Sequence, residues 1–316
     1  MLNAHIYLTF RNNSARPLPD GGEFDPGNGG AIIIEDAGNA IFLRSNFVSN
    51  SCQKDGGAVT FDSILNLVTI DSCTFELNTS LEEGGAVDYD AGSGDPNPSL
   101  LVTSSNFTNN TSLEGDAAGI YVRDASVAEI RDSFFRGNTA FDDGGAIAID
   151  KVGTLATIAN CNFTLNEAGA SGGGLFVEDS LEAALDVSDC TFDQNFISDP
   201  PTGTPNDFDA PGDGGGAFIT EIGGPSVDVG FRNCFFLNNT APDDGGGLVI
   251  VGVSDGSLPN PGQITLNNNI FEGNVAVGTS LTLTLNHHLY IYVVDHLGQM
   301  IMPTVYALRM SNCIAN

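Results

Sequence analysis

The chain has 316 residues, 41% of them hydrophobic, and its 40 acidic residues against 10 basic ones give a formal net charge of −30. A surface this acidic repels nucleic acid, anionic membranes and polyanionic substrates, and it leaves cationic ligands, Ca²⁺ and neutral sugars as partners. No apolar run is long enough to cross a bilayer as a helix, so no transmembrane segment is expected.

Met1-Leu2-Asn3-Ala4-His5 lacks the basic flank and apolar centre of a secretory signal, and Ile6-Tyr7-Leu8-Thr9-Phe10 already lies inside a repeat. From there a Phe followed three residues later by an Asn recurs at Phe10, Phe47, Phe75, Phe107, Phe135, Phe163, Phe192, Phe236 and Phe271. Eight of these are preceded by a triplet of small residues and, usually, an apolar residue, from Gly29-Gly30-Ala31-Ile32 to Gly245-Gly246-Gly247-Leu248. The commonest Phe-to-Phe spacing is 28 residues. A fixed period that tolerates insertions marks stacked coils.

Within a repeat, apolar residues stand seven and five positions before the Phe, as at Val68 and Ile70 or Leu185 and Val187. The next inward position is two before it: Ser45, Cys73, Ser105, Ser133, Cys161, Cys190 and Cys234. An alternation that slips by one residue at the same place in every repeat is a corner between two short strands. A third strand follows the glycines, alternating at Val59/Phe61, Ile147/Ile149 and Leu248/Ile250. Three short strands per repeat make one coil of an all-β parallel solenoid, and about nine coils stacked at ~4.8 Å give a rod of roughly 40 Å. Its interior holds a Phe stack and a column of Asn amides that bond from coil to coil.

Gly-Gly-Ala-Ile paired with Phe-x-x-Asn resembles the repeat of chlamydial polymorphic outer-membrane proteins and, more broadly, right-handed parallel β-helix proteins. The resemblance covers residues 6–276. It implies a right-handed coil and a surface-displayed or secreted, adhesin-like protein, of which this chain is a fragment. The sequence is expected to depart from the chlamydial type at both ends, with no signal peptide and no room for the C-terminal membrane barrel.

Four insertions, at 14–28, 89–99, 196–214 and 252–262, interrupt the period and are expected to project from the rod, where binding concentrates on rigid scaffolds. Two carry similar acidic phrases: Asp88-Tyr89-Asp90-Ala91 leading to Asp95, and Asp207-Phe208-Asp209-Ala210 leading to Asp213. Clustered carboxylates on glycine-rich turns suit Ca²⁺, so Asp88, Asp90, Asp95, Asp207, Asp209 and Asp213 are the candidate metal ligands; neither phrase has EF-hand spacing. Carboxylates also precede the glycines at Asp55, Glu83, Asp116, Asp143 and Asp244, where they are expected to be exposed and to repel one another weakly.

Five of the six Cys share the position two before the Phe or its counterpart and read as small buried residues, leaving Cys52 as the one expected at the surface. After Asn274 the glycine triplet disappears, so the chain divides into solenoid repeats at 1–276 and a β-rich cap, or the start of a further domain, at 277–316.

For function, the residues leave two classes. A non-catalytic module, adhesive or structural, needs only an acidic rod with loops that bind a glycan or a surface protein. A polysaccharide lyase or glycoside hydrolase needs a convergent base or a paired acid and base. The Arg residues at 44, 131 and 232 fall at water-facing corners of unrelated repeats, and no catalytic constellation stands out, so the non-catalytic reading leads.

Overall fold

The computed structural model describes residues 8–16, 27–92, 98–178, 183–198, 212–220, 228–250 and 263–276, with strand pieces at 309–311 and 314–315. One coil shows the plan: Ile147–Asp150, Leu155–Ala159, Asn162–Thr164 and Glu167–Ala168 are strands joined by tight corners. Each pairs in parallel with its counterparts in the coils before and after, as Phe163 does with Phe135 and Phe192. Repetition builds sheets of ten, nine, eight and four strands and a two-stranded piece. The chain is a β-solenoid. No helix among the described residues is long and apolar enough to cross a membrane.

The one-residue slip is the expected corner. Arg44, Ser72, Ser104, Asp132, Asn160, Asp189, Asn233 and Asn268, each three before the ladder Phe, all have φ between 49° and 57°. Short polar side chains tolerate that left-handed conformation best, hence their prevalence here. A second left-handed corner, two residues after the Phe, leaves no mark on the alternation; it is occupied by Ser49, Asn109 and Asn238 but also by Leu77 and Leu165.

Between these corners every inward Phe stacks on the next. Phe47–Phe75, Phe75–Phe107 and Phe163–Phe192 have ring centroids 4.7, 4.7 and 4.6 Å apart and lie within 4° of parallel. Apolar burial and ring stacking thus repeat in every coil of one continuous core.

The second glycine of the triplet is small because neighbouring backbones touch there. A Cβ on Gly145 would lie 2.3 Å from the carbonyl oxygen of Gly173 and 2.4 Å from that of Glu167.

The Ser/Cys column also carries hydrogen bonds between coils. The side chain at this position accepts the backbone N–H of its equivalent in the preceding coil: Cys73 to Ser105 Oγ at 3.0 Å, Cys161 to Cys190 Sγ at 3.4 Å. All five described cysteines are unbridged. Cys52 is buried rather than exposed, because it occupies an inward column with Ser80, Ser112 and Ala140. Burial pushes its thiol up to about 12.

The second insertion begins later than the alternation suggests, since Val87–Asp90 is a regular strand of the eight-stranded sheet. Of residues 277–316, Arg309–Ser311 and Ile314–Ala315 pair in parallel with Gln263–Asn267 and Ile270–Glu272; the rest lie outside the described residues.

Candidate binding face on the eight-stranded sheet

In this sheet the first and third residues of each strand enter the core and the second and fourth face outward. The second residues form the register Ile33, Thr60, Asp88, Tyr121, Ala148, Phe176, Phe218, Val249. The fourth form Glu35, Asp62, Asp90, Arg123, Asp150, Glu178. A third row runs along the turn five residues before the first: Asn28, Asp55, Glu83, Asp116, Asp143, Ser171, Asp213, Asp244.

From Thr60 onward the first row is buried although it points away from the core, because the glycine turn folds over it. A Cβ on Gly144, Gly172 or Gly214 would come within 2.9 Å of the Cβ of Ala148, Phe176 or Phe218 respectively. Thr60 Oγ1 donates to the Asp55 carbonyl at 2.7 Å in the same arrangement. The stacked pair Phe176–Phe218 (5.8 Å, 6°) is therefore packing beneath the turns, not an open platform for a sugar ring.

The turn carboxylates are half-buried or buried, not exposed as expected, and several accept a backbone N–H of the next coil. Asp55 Oδ1 accepts from Glu83 N at 3.1 Å, Asp116 Oδ1 from Asp143 N at 2.9 Å, and Asp213 Oδ1 from Asp244 N at 2.8 Å. Burial is the main reason their protons are held tightly. It lifts Glu83 to about 7, with the charge of Asp55 adding and Arg123 opposing. It lifts Asp116 to about 6 against the Asp143 N–H bond, and Asp213 to about 7 against the Asp244 N–H bond. Asp143, buried beside Asp116, and Asp88, buried near Asp55 and Glu83, are raised well above the ordinary carboxylate range.

In the middle of this acidic face stands Arg123. Its Nε donates to Asp150 Oδ2 at 3.1 Å, its Nη2 lies 3.9 Å from Glu83 Oε1 and donates to the Tyr121 hydroxyl, and its guanidinium lies 5.0 Å from the Tyr121 ring centroid. Burial works against its charge, but Tyr121, Glu83 and Asp150 more than compensate. Burial also raises the Tyr121 phenol, helped by Glu83. Glu83, Tyr121, Arg123 and Asp150 come from three successive coils, so no local motif contains them. The one signal in the sequence is that Arg123 is the single basic residue in an otherwise acidic row at the end of the glycine strand.

The six candidate Ca²⁺ ligands divide. Asp88 and Asp90 lie on the strand itself, Asp88 beneath the glycine turn and Asp90 accepting the Gly92 N–H at 2.9 Å. Asp213 belongs to the turn row several coils further on, so the two acidic phrases are not equivalent places in the fold. Asp95, Asp207 and Asp209 lie outside the described residues. Among the described residues no group of three or more His, Cys, Asp or Glu is placed to hold a metal ion.

Fold and face together define a parallel β-solenoid with an acidic outward sheet. A family model described as right handed beta helix region matches residues 5–292, and the chain belongs to that family. The narrower resemblance to the chlamydial repeat rests on the Gly-Gly-Ala-Ile and Phe-x-x-Asn motifs alone. Comparison with curated proteins and with solved structures found no match.

Proposed function

We propose that this chain is a non-catalytic binding module of a cell-surface or secreted protein, adhesive or structural in role, and that its ligand is a neutral glycan. The observation that carries the reading is the Glu83–Arg123–Asp150 arrangement: a single guanidinium, held by carboxylates, at the centre of an acidic face. The carboxyl groups of this face accept hydrogen bonds, Glu83 also donates one while it keeps its proton, and Arg123 adds directional donors, which together suit sugar hydroxyls. The net charge of −30 disfavours uronate or sulfated glycans.

A second reading, glycoside hydrolysis, has one observation in its favour. Glu83 at about 7 keeps its proton near neutrality, as a general acid must. One experiment separates the two: binding to neutral, anionic and cationic glycan arrays with and without Ca²⁺, with reducing ends and unsaturated products assayed in the same wells. Neutral-glycan binding without products, weakened about tenfold by Arg123→Gln, is the expected result. New reducing ends abolished by Glu83→Gln establish the hydrolase, unsaturated products establish a lyase, and no binding at all removes the glycan reading.

A further inference from the structure

A separate surface runs along the edge of the rod just before the acidic turn. Three residues after each ladder Asn, successive coils place Leu81, Leu113 and Phe141 in one column. Leu113 N–H donates to the Ser80 carbonyl at 3.2 Å and Phe141 N–H to the Ser112 carbonyl at 3.1 Å, which fixes the three at the coil spacing of ~4.8 Å. Leu113 is 50% exposed and Phe141 63%, although the core offers apolar burial on every coil.

The residue that follows on each coil is an exposed carboxylate: Glu82, Glu114 and Asp142. The column ends sharply, at Gln53 on one side and at Gly169 on the other, where a Cβ would lie 1.9 Å from the Phe141 carbonyl oxygen. An exposed apolar pair, Leu113 and Phe141, flanked by the half-buried Leu81 and bounded by acids, is thus confined to three coils. Lone exposed hydrophobes need no explanation; adjacent ones rimmed by charge mark an interaction site.

The rim selects the occupant. An anionic partner is repelled, and a wholly apolar one strips water from Glu82, Glu114 and Asp142 with nothing in return. We propose that this edge docks a basic, amphipathic polypeptide segment, whose apolar side chains cover Leu113 and Phe141 while its Lys or Arg side chains meet Glu82, Glu114 and Asp142. The occupant differs from the glycan of the sheet face, and the two surfaces act independently.

The test uses fluorescence anisotropy of three labelled short peptides, alternating Lys with Leu, Lys with Ser, and Glu with Leu, against the whole chain. The Lys–Leu peptide is expected to bind, the Lys–Ser peptide about tenfold more weakly, and the Glu–Leu peptide not at all. Phe141→Ser is expected to cost about tenfold and Asp142→Asn to flatten the salt dependence, with melting temperatures unchanged because both side chains are exposed. Arg123→Gln leaves peptide binding intact, which separates this surface from the proposed glycan face. Equal binding of the Lys–Leu and Lys–Ser peptides reduces the effect to net charge and overturns the proposal. So does an unchanged affinity in Phe141→Ser, or no binding.

Discussion

Asn110 Nδ2 donates to Asn138 Oδ1 at 3.0 Å, and the same oxygen accepts the backbone N–H of Asn110 at 3.0 Å. Asn138 in turn uses its own Nδ2 on the Phe107 carbonyl and on Asn166 Oδ1, both at 3.0 Å. Each fully buried amide thereby ties its coil to the coils on either side. Only Asn has the donor, the acceptor and the reach, and this explains its column beside the Phe stack.

Asn138→Ala removes the acceptor of two buried donors and the donor of two buried acceptors. At about 1–3 kcal/mol for a buried group left unsatisfied, partly relieved by water, the expected loss is ~3–5 kcal/mol in urea unfolding. Asn138→Asp is expected to be no better, since it keeps the acceptor but forfeits both donated bonds and buries a charge. A loss under ~1 kcal/mol for Asn138→Ala shows that water replaces the ladder at little cost.

Two backbone positions predict opposite signs. Gly145→Ala sets a methyl group against two carbonyl oxygens of neighbouring coils and is expected to cost ~3 kcal/mol or more. Leu77 sits at φ 58° with half its surface exposed, in a column where Gly137 and Gly273 also occur. Leu77→Gly is expected to stabilise by ~1 kcal/mol through relief of the left-handed strain. Thermal melts of both variants check the pair, and a destabilised Leu77→Gly refutes the strain argument.

The pH dependence should run opposite to that of proteins rich in salt-bridged carboxylates. Glu83, Asp116 and Asp213 titrate in the fold at about 7, 6 and 7, against ordinary values of 4.5, 3.8 and 3.8. Between these limits the folded chain holds more protons than the unfolded one, so the stability they contribute is complete at acid pH and is lost as pH rises to about 7. Melting temperature should therefore climb from pH 8 to pH 5. Glu83→Gln, permanently neutral, should flatten the profile; a profile as steep as that of the parent chain removes Glu83 from the account.

Calcium binding by the acidic segments 88–95 and 207–213 has a direct thermal test. It predicts that Ca²⁺ raises the melting temperature more than Mg²⁺ at equal concentration, and that Asp207→Asn with Asp209→Asn erases the difference. Equal shifts for the two ions assign the effect to screening of the acidic rows.

Periodicity made the solenoid legible, because each column repeats one physical role. Phe47 to Phe271 stack, Asn50 to Asn274 bond, and the residue three before each Phe turns the chain. It failed where a role is shared between columns. Cys52 is two residues from an ordinary ladder Asn, and its burial follows only from Ser80, Ser112 and Ala140 sharing its position in other coils. Asp213 is a turn carboxylate hidden behind an insertion. Arg123 acquires its meaning from Glu83 and Asp150, which reach it from coils on opposite sides.

The Asn column also has a direction. Asn78 N–H and Nδ2 both reach forward to Asn110 Oδ1, and the same pattern repeats from Asn110 to Asn138 and from Asn195 to Asn239. A cut between the Asn78 and Asn110 coils strands the Asn78 N–H and Nδ2 with the Phe75 carbonyl on one fresh face, and the Asn110 Oδ1 and Nδ2 on the other. The two faces carry their donors and acceptors in different places, so they match head to tail and each coil is a directional template for the next.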